Sequence, residues 1–246
     1  MTMALLGKAA MHLSFDVASD AIDEHDDWHT HEHLPERLSI PGFLRGTRWI
    51  AQQGRPRYFV MYEVKELATL ASAAYLERLN NPTPWTAKMM THYRGMTRGF
   101  CTITSSFGVG IGQAGLLIRF TPAPGKETDL RTWLLDEELP RLPSKIGLSS
   151  AHVFEAALTP QSTSEQRIRG TDSAVDGAVL VTGYSVASVT DLIHTRLGEE
   201  QFEQHGATGF IGGVYRMEYS LTDLELSMPN PLLNRRTNGV PPLAPG

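Results

Sequence analysis

The sequence predicts an α+β fold in which two tandem β-α-β-β-α-β units lay their sheets against each other. Three observations lead there. Trp28-His29-Thr30-His31-Glu32-His33-Leu34-Pro35 is echoed 105 positions downstream by Trp133-Leu134-Leu135-Asp136-Glu137-Glu138-Leu139-Pro140. The same offset sets Met11-His12-Leu13-Ser14-Phe15 on Leu116-Leu117-Ile118-Arg119-Phe120. Around both pairs, segments of period two alternate with helical segments in one repeated order. One unit is used twice, and the histidines survive only in the first copy.

The elements follow in order. Met11 to Val17 alternates apolar and polar residues as a half-buried strand does. Asp26 or Asp27 is positioned to cap a helix from Trp28 to about Leu38, which Pro41-Gly42 ends. Thr47 to Ala51 and Tyr58 to Val64 read as strands, Leu67 to Leu79 as a helix and Arg98 to Ser105 as the fourth strand. Gly108-Val109-Gly110-Ile111-Gly112 lacks the spacing of a phosphate loop and reads as the link between copies. The second copy has a strand at Gly115 to Thr121, a helix from Asp129 to about Leu142 and a strand at Ala151 to Ala157. A polar insertion, Pro160 to Gly177, reads as a mobile surface loop. Tyr184-Ser185-Val186 then echoes Tyr62-Glu63-Val64, before a helix from Val189 to Gln204 and a strand from Gly213 to Ser220. The expected units are thus 10–107 and 113–222, followed by a Pro-rich tail at 228–246.

Composition excludes several function classes. With 41% hydrophobic and 20% charged residues, the 246-residue chain has the make-up of an ordinary globular protein. A net charge of -5 offers no general attraction for nucleic acid. Cys101 is the only cysteine, so no internal disulfide marks an oxidising compartment, and cytoplasm is the expected location. No apolar run reaches the ~20 residues of a membrane helix, and Met1 to Met11 is too short for a secretory leader.

The β-α-β-β-α-β order, the run from Trp28 to Pro35 continuing through Phe43, and Asn81-Pro82-Thr83-Pro84-Trp85-Thr86 resemble the EthD-like branch of the dimeric α+β barrel, ferredoxin-like superfamily. The likeness spans about residues 10 to 222 in a tandem-repeat form. It implies that the two sheets close face to face around a cavity. The superfamily's retained histidine falls on His33, and Glu138 departs from that pattern in the second copy. Barrels of this kind include muconolactone isomerases, polyketide cyclases, cofactor-free monooxygenases and haem enzymes, so the fold alone assigns no reaction.

On this barrel, His12, Ser14 and Asp16 in the first copy and Arg119 in the second are expected to face the cavity. His33, His12, Ser14 and Asp16 are the candidate catalytic residues. A histidine gains and returns protons near pH 7, while a direct Ser-His-Asp relay fails because i and i+2 on one strand stand ~7 Å apart. Arg119 is a candidate anchor for a substrate carboxylate, with an ion pair to Asp16 or Glu63 as the structural alternative. Trp49, Tyr62, Trp85 and His29 are candidate substrate-binding residues; Arg45, Arg48, Arg94, Arg98, Tyr93 and Phe100 are weaker ones. His29 and His33 share a helix face that His25 would extend, whereas His31 points elsewhere, so His-x-His-x-His is no ready metal site.

The leading expectation is a cofactor-free enzyme using histidine acid-base chemistry to isomerise or hydrolyse a small unsaturated or aromatic-derived acid, ester or lactone. The alternatives are a metal- or haem-dependent barrel enzyme with His29 and His33, or His33 alone, as ligands, and a non-catalytic small-molecule binder. A small molecule is the expected partner, with homodimer formation through exposed outer faces.

Overall fold

The computed structural model describes residues 4–158, 162–170, 172–174 and 176–228. Its strands are β1 Ala9–Val17, β2 Phe43–Gln53, β3 Tyr58–Val64, β4 Tyr93–Gly108, β5 Ala114–Pro122, β6 Leu148–Leu158, β7 Gly177–Gly183 and β8 Ala207–Thr222. They close into a barrel in the order β1-β3-β2-β8-β5-β7-β6-β4, within one chain. Each half contributes four neighbouring strands. β4 and β8, 16 residues each, pair with their own half along part of their length and with the other half along the rest.

Alternation along the strands sorts side chains into three layers. Met11, Phe15 and Val17 of β1 join the core beneath the first-half helices, and Leu116, Ile118 and Phe120 of β5 do the same in the second half. The residues between them point inward. There Trp49, Phe59, Met61, Leu117, Phe154 and Leu180 meet in a third core. The cavity expected between the sheets is therefore filled, as an eight-stranded barrel is just wide enough for its own side chains to pack.

The repeated motif has a structural cause. In both halves the helix widens to a π turn before the proline, at His29–His33 and at Trp133–Glu138. Leu34 N–H donates to His29 O and Leu139 N–H to Leu134 O, each an i→i−5 bond. Pro35 and Pro140 lack an N–H and would clash with the carbonyl of residue i−4, and the wider turn accommodates both effects. The first helix begins at Ile22 after a 3-10 turn, so Asp26 and Asp27 lie inside it and cap nothing. Gly42 (φ +95°) turns the chain afterwards, where a Cβ would stand 2.8 Å from Thr69 Oγ1.

Two expectations are corrected. Ala9 pairs with Val64 and Ala114 with Gly183, so the counterpart of Tyr62-Glu63-Val64 is Val181-Thr182-Gly183. Tyr184 is exposed, and Ser185 caps the Val186–His194 helix by accepting from Ser188 N–H at 3.2 Å. The buried apolar run Ala178 to Val181 decides the strand, and the tyrosine match is coincidence. The expected 189–204 helix is interrupted before Glu199–Gln204.

The second correction concerns the polar insertion. It leaves β6 where that strand lies beside β4, and its described part crosses onto the first half. Thr163 caps a short helix, Ser164–Arg169, in which Glu165 is buried. Ser173 exchanges backbone hydrogen bonds with Met96 and Arg98, each 2.9 Å. Ser164 N–H donates to Asn80 Oδ1 at 3.2 Å. Beyond Met228 the Pro-rich tail lies outside the described residues.

Candidate functional site

The 22–38 helix lays a row of histidines on the outer surface of the first-half sheet. Ring centroids are 5.6 Å apart for His25 and His29 and 5.7 Å for His29 and His33. All three are buried, while His31 turns outward to Asp27 at 2.7 Å. The sheet answers with Phe15 from β1, Tyr58 and Tyr62 from β3 and Tyr93 from β4. His25 meets Tyr93 Oη at 3.3 Å through Nε2 and Asp26 Oδ1 at 3.0 Å through Nδ1. Arg48 Nη1–H points to His29 Nδ1 at 3.5 Å, which assigns the remaining proton of the neutral ring to Nε2, 3.5 Å from Tyr62 Oη. His33 stacks at 4.4 Å from Trp28, and its Nδ1 has no hydrogen-bond partner among the described residues.

Burial governs the charges here. It holds His29 and His33 well below the usual histidine range, reinforced by Arg37 and the neighbouring imidazoles. Burial also lowers His25, with Asp26 opposing it. Tyr62 and Tyr93 are raised above the usual phenol range by the same desolvation. At neutral pH the row is uncharged imidazole facing un-ionised phenol. Beneath it lies a cavity of about 30 Å³ lined by His29, His33, Arg37, Tyr62, Tyr93 and Arg98, among others. That is space for one or two waters.

The insertion from the second half closes this cavity. Glu165 pairs with Arg37, and Asp172 lies 2.9 Å from Arg98 Nε and 2.7 Å from Arg169 Nη2. In the second half the equivalent space between helix and sheet is open. It measures about 400 Å³ and is lined by Phe120, Leu130, Leu134 and Val153, with Glu127 and Asp176 nearby. Glu138, at the position of His33, is turned to Arg196.

The sequence candidates thus divide between two faces of one sheet. His29, His33, Tyr62 and Tyr93 come together, joined by His25. His12 and Ser14 point into the barrel: they pair with Met61 and Phe59, and neighbours across a ladder share a face. His12 is wedged between Phe59 (5.4 Å) and Phe154 (4.2 Å), neither ring nitrogen has a partner among the described residues, and burial depresses it to about 3. It does not meet His33. Asp16 accepts from Arg57 N–H at 2.8 Å, and Glu63 takes Arg45 at 2.6 Å, so Arg119 pairs with neither acid. Trp49 is buried inside the barrel, donating to Thr47 at 2.9 Å, and Trp85 donates to Glu24 at 3.1 Å. Arg37 was missed although it stands four residues after His33 on the same helix. Glu165 and Arg169 carried no signal, since a polar stretch between strands does not say where it docks.

Among the described residues no group of three or more His, Cys, Asp or Glu side chains is placed to hold a metal ion. No helix among them is long and apolar enough to cross a membrane.

No family model matches the sequence, and no curated protein matches it. Solved structures do match. An anthrone oxidase-like protein superposes with TM-score 0.62 at 9% identity, over 90% of this chain and 96% of that one. A monooxygenase-like protein from Lactobacillus acidophilus gives 0.54 at 9%, over 87% and 96%. A chlorite dismutase-like protein gives 0.51 at 12%, over 86% and 94%. These neighbours, described as oxidase-, monooxygenase- and chlorite dismutase-like, correct the expected isomerase or hydrolase, and His12 is sealed inside the barrel rather than set beside His33. The chain has the dimeric α+β barrel fold of ferredoxin-like halves.

Proposed function

We propose that the protein is an oxidative enzyme, of oxidase or monooxygenase type, that takes an electron-rich aromatic molecule between the histidine helix and the first-half sheet. The observation that carries the reading is the buried row His25, His29 and His33 against Tyr62 and Tyr93, neutral groups around a space with aromatic and thioether walls. The oxidative character of the fold neighbours supports the reaction class. The Glu32-His33-Leu34-Pro35 motif supports a place in the EthD-like branch.

The chemistry follows from the protonation states. An unpartnered, uncharged His33 can take a proton from an activated C–H or O–H of a phenolic or anthrone-like ring system. The low proton affinity of the empty site rises once the substrate becomes an anion, because the new ion pair forms in a low dielectric. Tyr62, still a phenol, donates to the developing oxyanion, and Arg37 supplies positive charge. Dioxygen then takes the electrons. For a ring-flanked CH2, one oxygen atom becomes the carbonyl and the other leaves as water with the two hydrogens, so no further reductant is needed.

A second reading places haem on His33 or His29. The cavity as it stands, about 30 Å³, holds neither a macrocycle nor an anthrone-sized ring system, so either reading requires the segment carrying Glu165 to withdraw, and no step is routed through haem. Oxygen uptake with anthrone as probe, in metal-depleted protein and alongside a hemin titration, separates the readings. Uptake without added hemin is expected. Uptake that appears only with hemin and a Soret shift would replace the proposal by the haem reading, and none in either arm would end the oxidative assignment.

A further inference from the structure

We infer that Arg37 and Arg98 form a carboxylate-binding subsite of the first-half cavity, suited to a planar aromatic acid and occupied here by the chain's own Glu165 and Asp172. The inference deepens the proposed function by naming the substrate class, and it rests on that reading for the catalytic use of the cavity. Its geometry stands independently.

Both guanidiniums are almost wholly buried, at 1% exposure for Arg37 and 3% for Arg98. They come from different elements, the histidine helix and β4, and line the same cavity. Arg37 lies over Tyr75 at 5.9 Å and Arg98 over Phe100 at 5.4 Å, so each is backed by a ring. Arg98 Nη2 has no hydrogen-bond partner among the described residues, a buried donor left over after Asp172 is counted. A bidentate carboxylate is the group a guanidinium fork matches.

Glu165 and Asp172 reach these arginines from a segment that otherwise belongs to the other half. Its helix has only six residues, and among the described residues Ser173, bonded to Met96 and Arg98, makes its backbone-to-backbone ties to the first half. Buried ion pairs of this kind add little net stability over apolar packing, so their presence calls for another explanation. If the segment withdraws it takes Glu165, Arg169 and Asp172 with it. Arg37 and Arg98 then face Glu36 alone, two cations against one anion, above Tyr62, Tyr93, Met90 and Met96. That balance and those walls fit a monoanionic aromatic carboxylate, whose carboxylate would replace that of Glu165 while its ring enlarges the space beside His33. A neutral aromatic such as anthrone enters without that ion pairing and binds more weakly.

The test uses 2-naphthoate and its uncharged analogue 2-naphthamide, with binding read by calorimetry and tryptophan fluorescence. Three proteins are compared: the full chain, Glu165→Gln in the full chain, and a chain with 162–174 replaced by Gly-Ser-Gly-Ser. Naphthoate is expected to bind the replaced chain at least tenfold tighter than the full chain, and Glu165→Gln several-fold tighter, with naphthamide weaker than naphthoate in both. Adding Arg37→Met to the replaced chain should remove the preference for the acid. Equal binding of acid and amide, or no gain over the full chain, overturns the subsite. If near-UV circular dichroism shows the replaced chain unfolded, Glu165→Gln decides, and unchanged naphthoate affinity there overturns it as well. None of these arms consumes oxygen, so failed oxygen uptake leaves the subsite standing and failed binding leaves the oxidative reading standing.

Discussion

The two halves of the barrel have one architecture and opposite states of the space between helix and sheet. Both widen to a π turn before a proline, and both bury a Trp ahead of it. The first half carries His25, His29 and His33 over about 30 Å³, plugged by a segment on loan from the second; the second carries Leu134 and Glu138 beside about 400 Å³ with no plug among the described residues. Cavity size and chemical equipment are thus uncoupled. The roomier half has the plainer chemistry, and the equipped half is closed by buried charge pairs.

That contrast can be broken most forcefully at its ion pairs. Glu165→Ala removes one of the two carboxylates at the buried Arg37, leaving Glu36 at 3.2 Å, and is expected to cost about 1–3 kcal/mol. Glu138→Ala frees Arg196, which is 39% exposed and can turn to water, so it should cost under about 1 kcal/mol. Urea denaturation of both variants measures the difference, and equal losses would mean that the halves are stabilised alike.

Activity gives the next effect. His33→Ala should lower oxygen-dependent turnover by roughly a hundredfold, the usual scale for a proton-transfer group. Glu138→Ala should leave turnover within a few-fold, since that carboxylate is engaged by Arg196. Comparable losses in two well-folded variants would require a site shared across the barrel.

Inside the barrel the halves differ again. His12 has apolar neighbours and no hydrogen bond among the described residues, whereas His152 is held by Ser106 at 2.7 Å and Ser150 at 3.0 Å. His152→Leu strands those hydroxyls and should cost about 1–3 kcal/mol, while His12→Met removes an unsatisfied group and should be neutral or stabilising. Both histidines are depressed by burial to about 3. Their contribution is complete above the unfolded value near 6.5 and is lost as pH falls from there toward 3, because the unfolded chain then binds the extra protons. His12→Met should therefore flatten the fall in urea midpoint between pH 6 and 4; a curve identical to that of the parent would show that His12 does not contribute to it.

The smallest effect is expected on the helix face opposite the histidine row. His31→Gln, exposed and paired only with Asp27, should change stability by less than about 0.5 kcal/mol and turnover not at all.

Local regularities in the sequence determined much of this protein. The 105-residue echo and the period-two strands led to the tandem β-α-β-β-α-β order and the closed barrel, because alternation and helical period act over a few residues. The histidine row was legible for the same reason, since His25, His29 and His33 are spaced for one helix face. Arg37 could have been added by extending that spacing once more.

Only the tertiary structure decided which side of the sheet is packed solid and which keeps a space beneath the helices. Alternation shows that His12 and Met11 lie on opposite faces, but not which face is covered by helices and which is filled by the other half. The interior expected to hold a cavity is filled instead, so His12, with Arg119 near it, and Trp49 lie packed inside the barrel, on the face opposite His33. Closure by Glu165, Arg169 and Asp172 was equally out of reach. It depends on β6 lying beside β4, a pairing between strands far apart in the chain that no local pattern encodes, and on the penalty a buried arginine carries when it has no carboxylate.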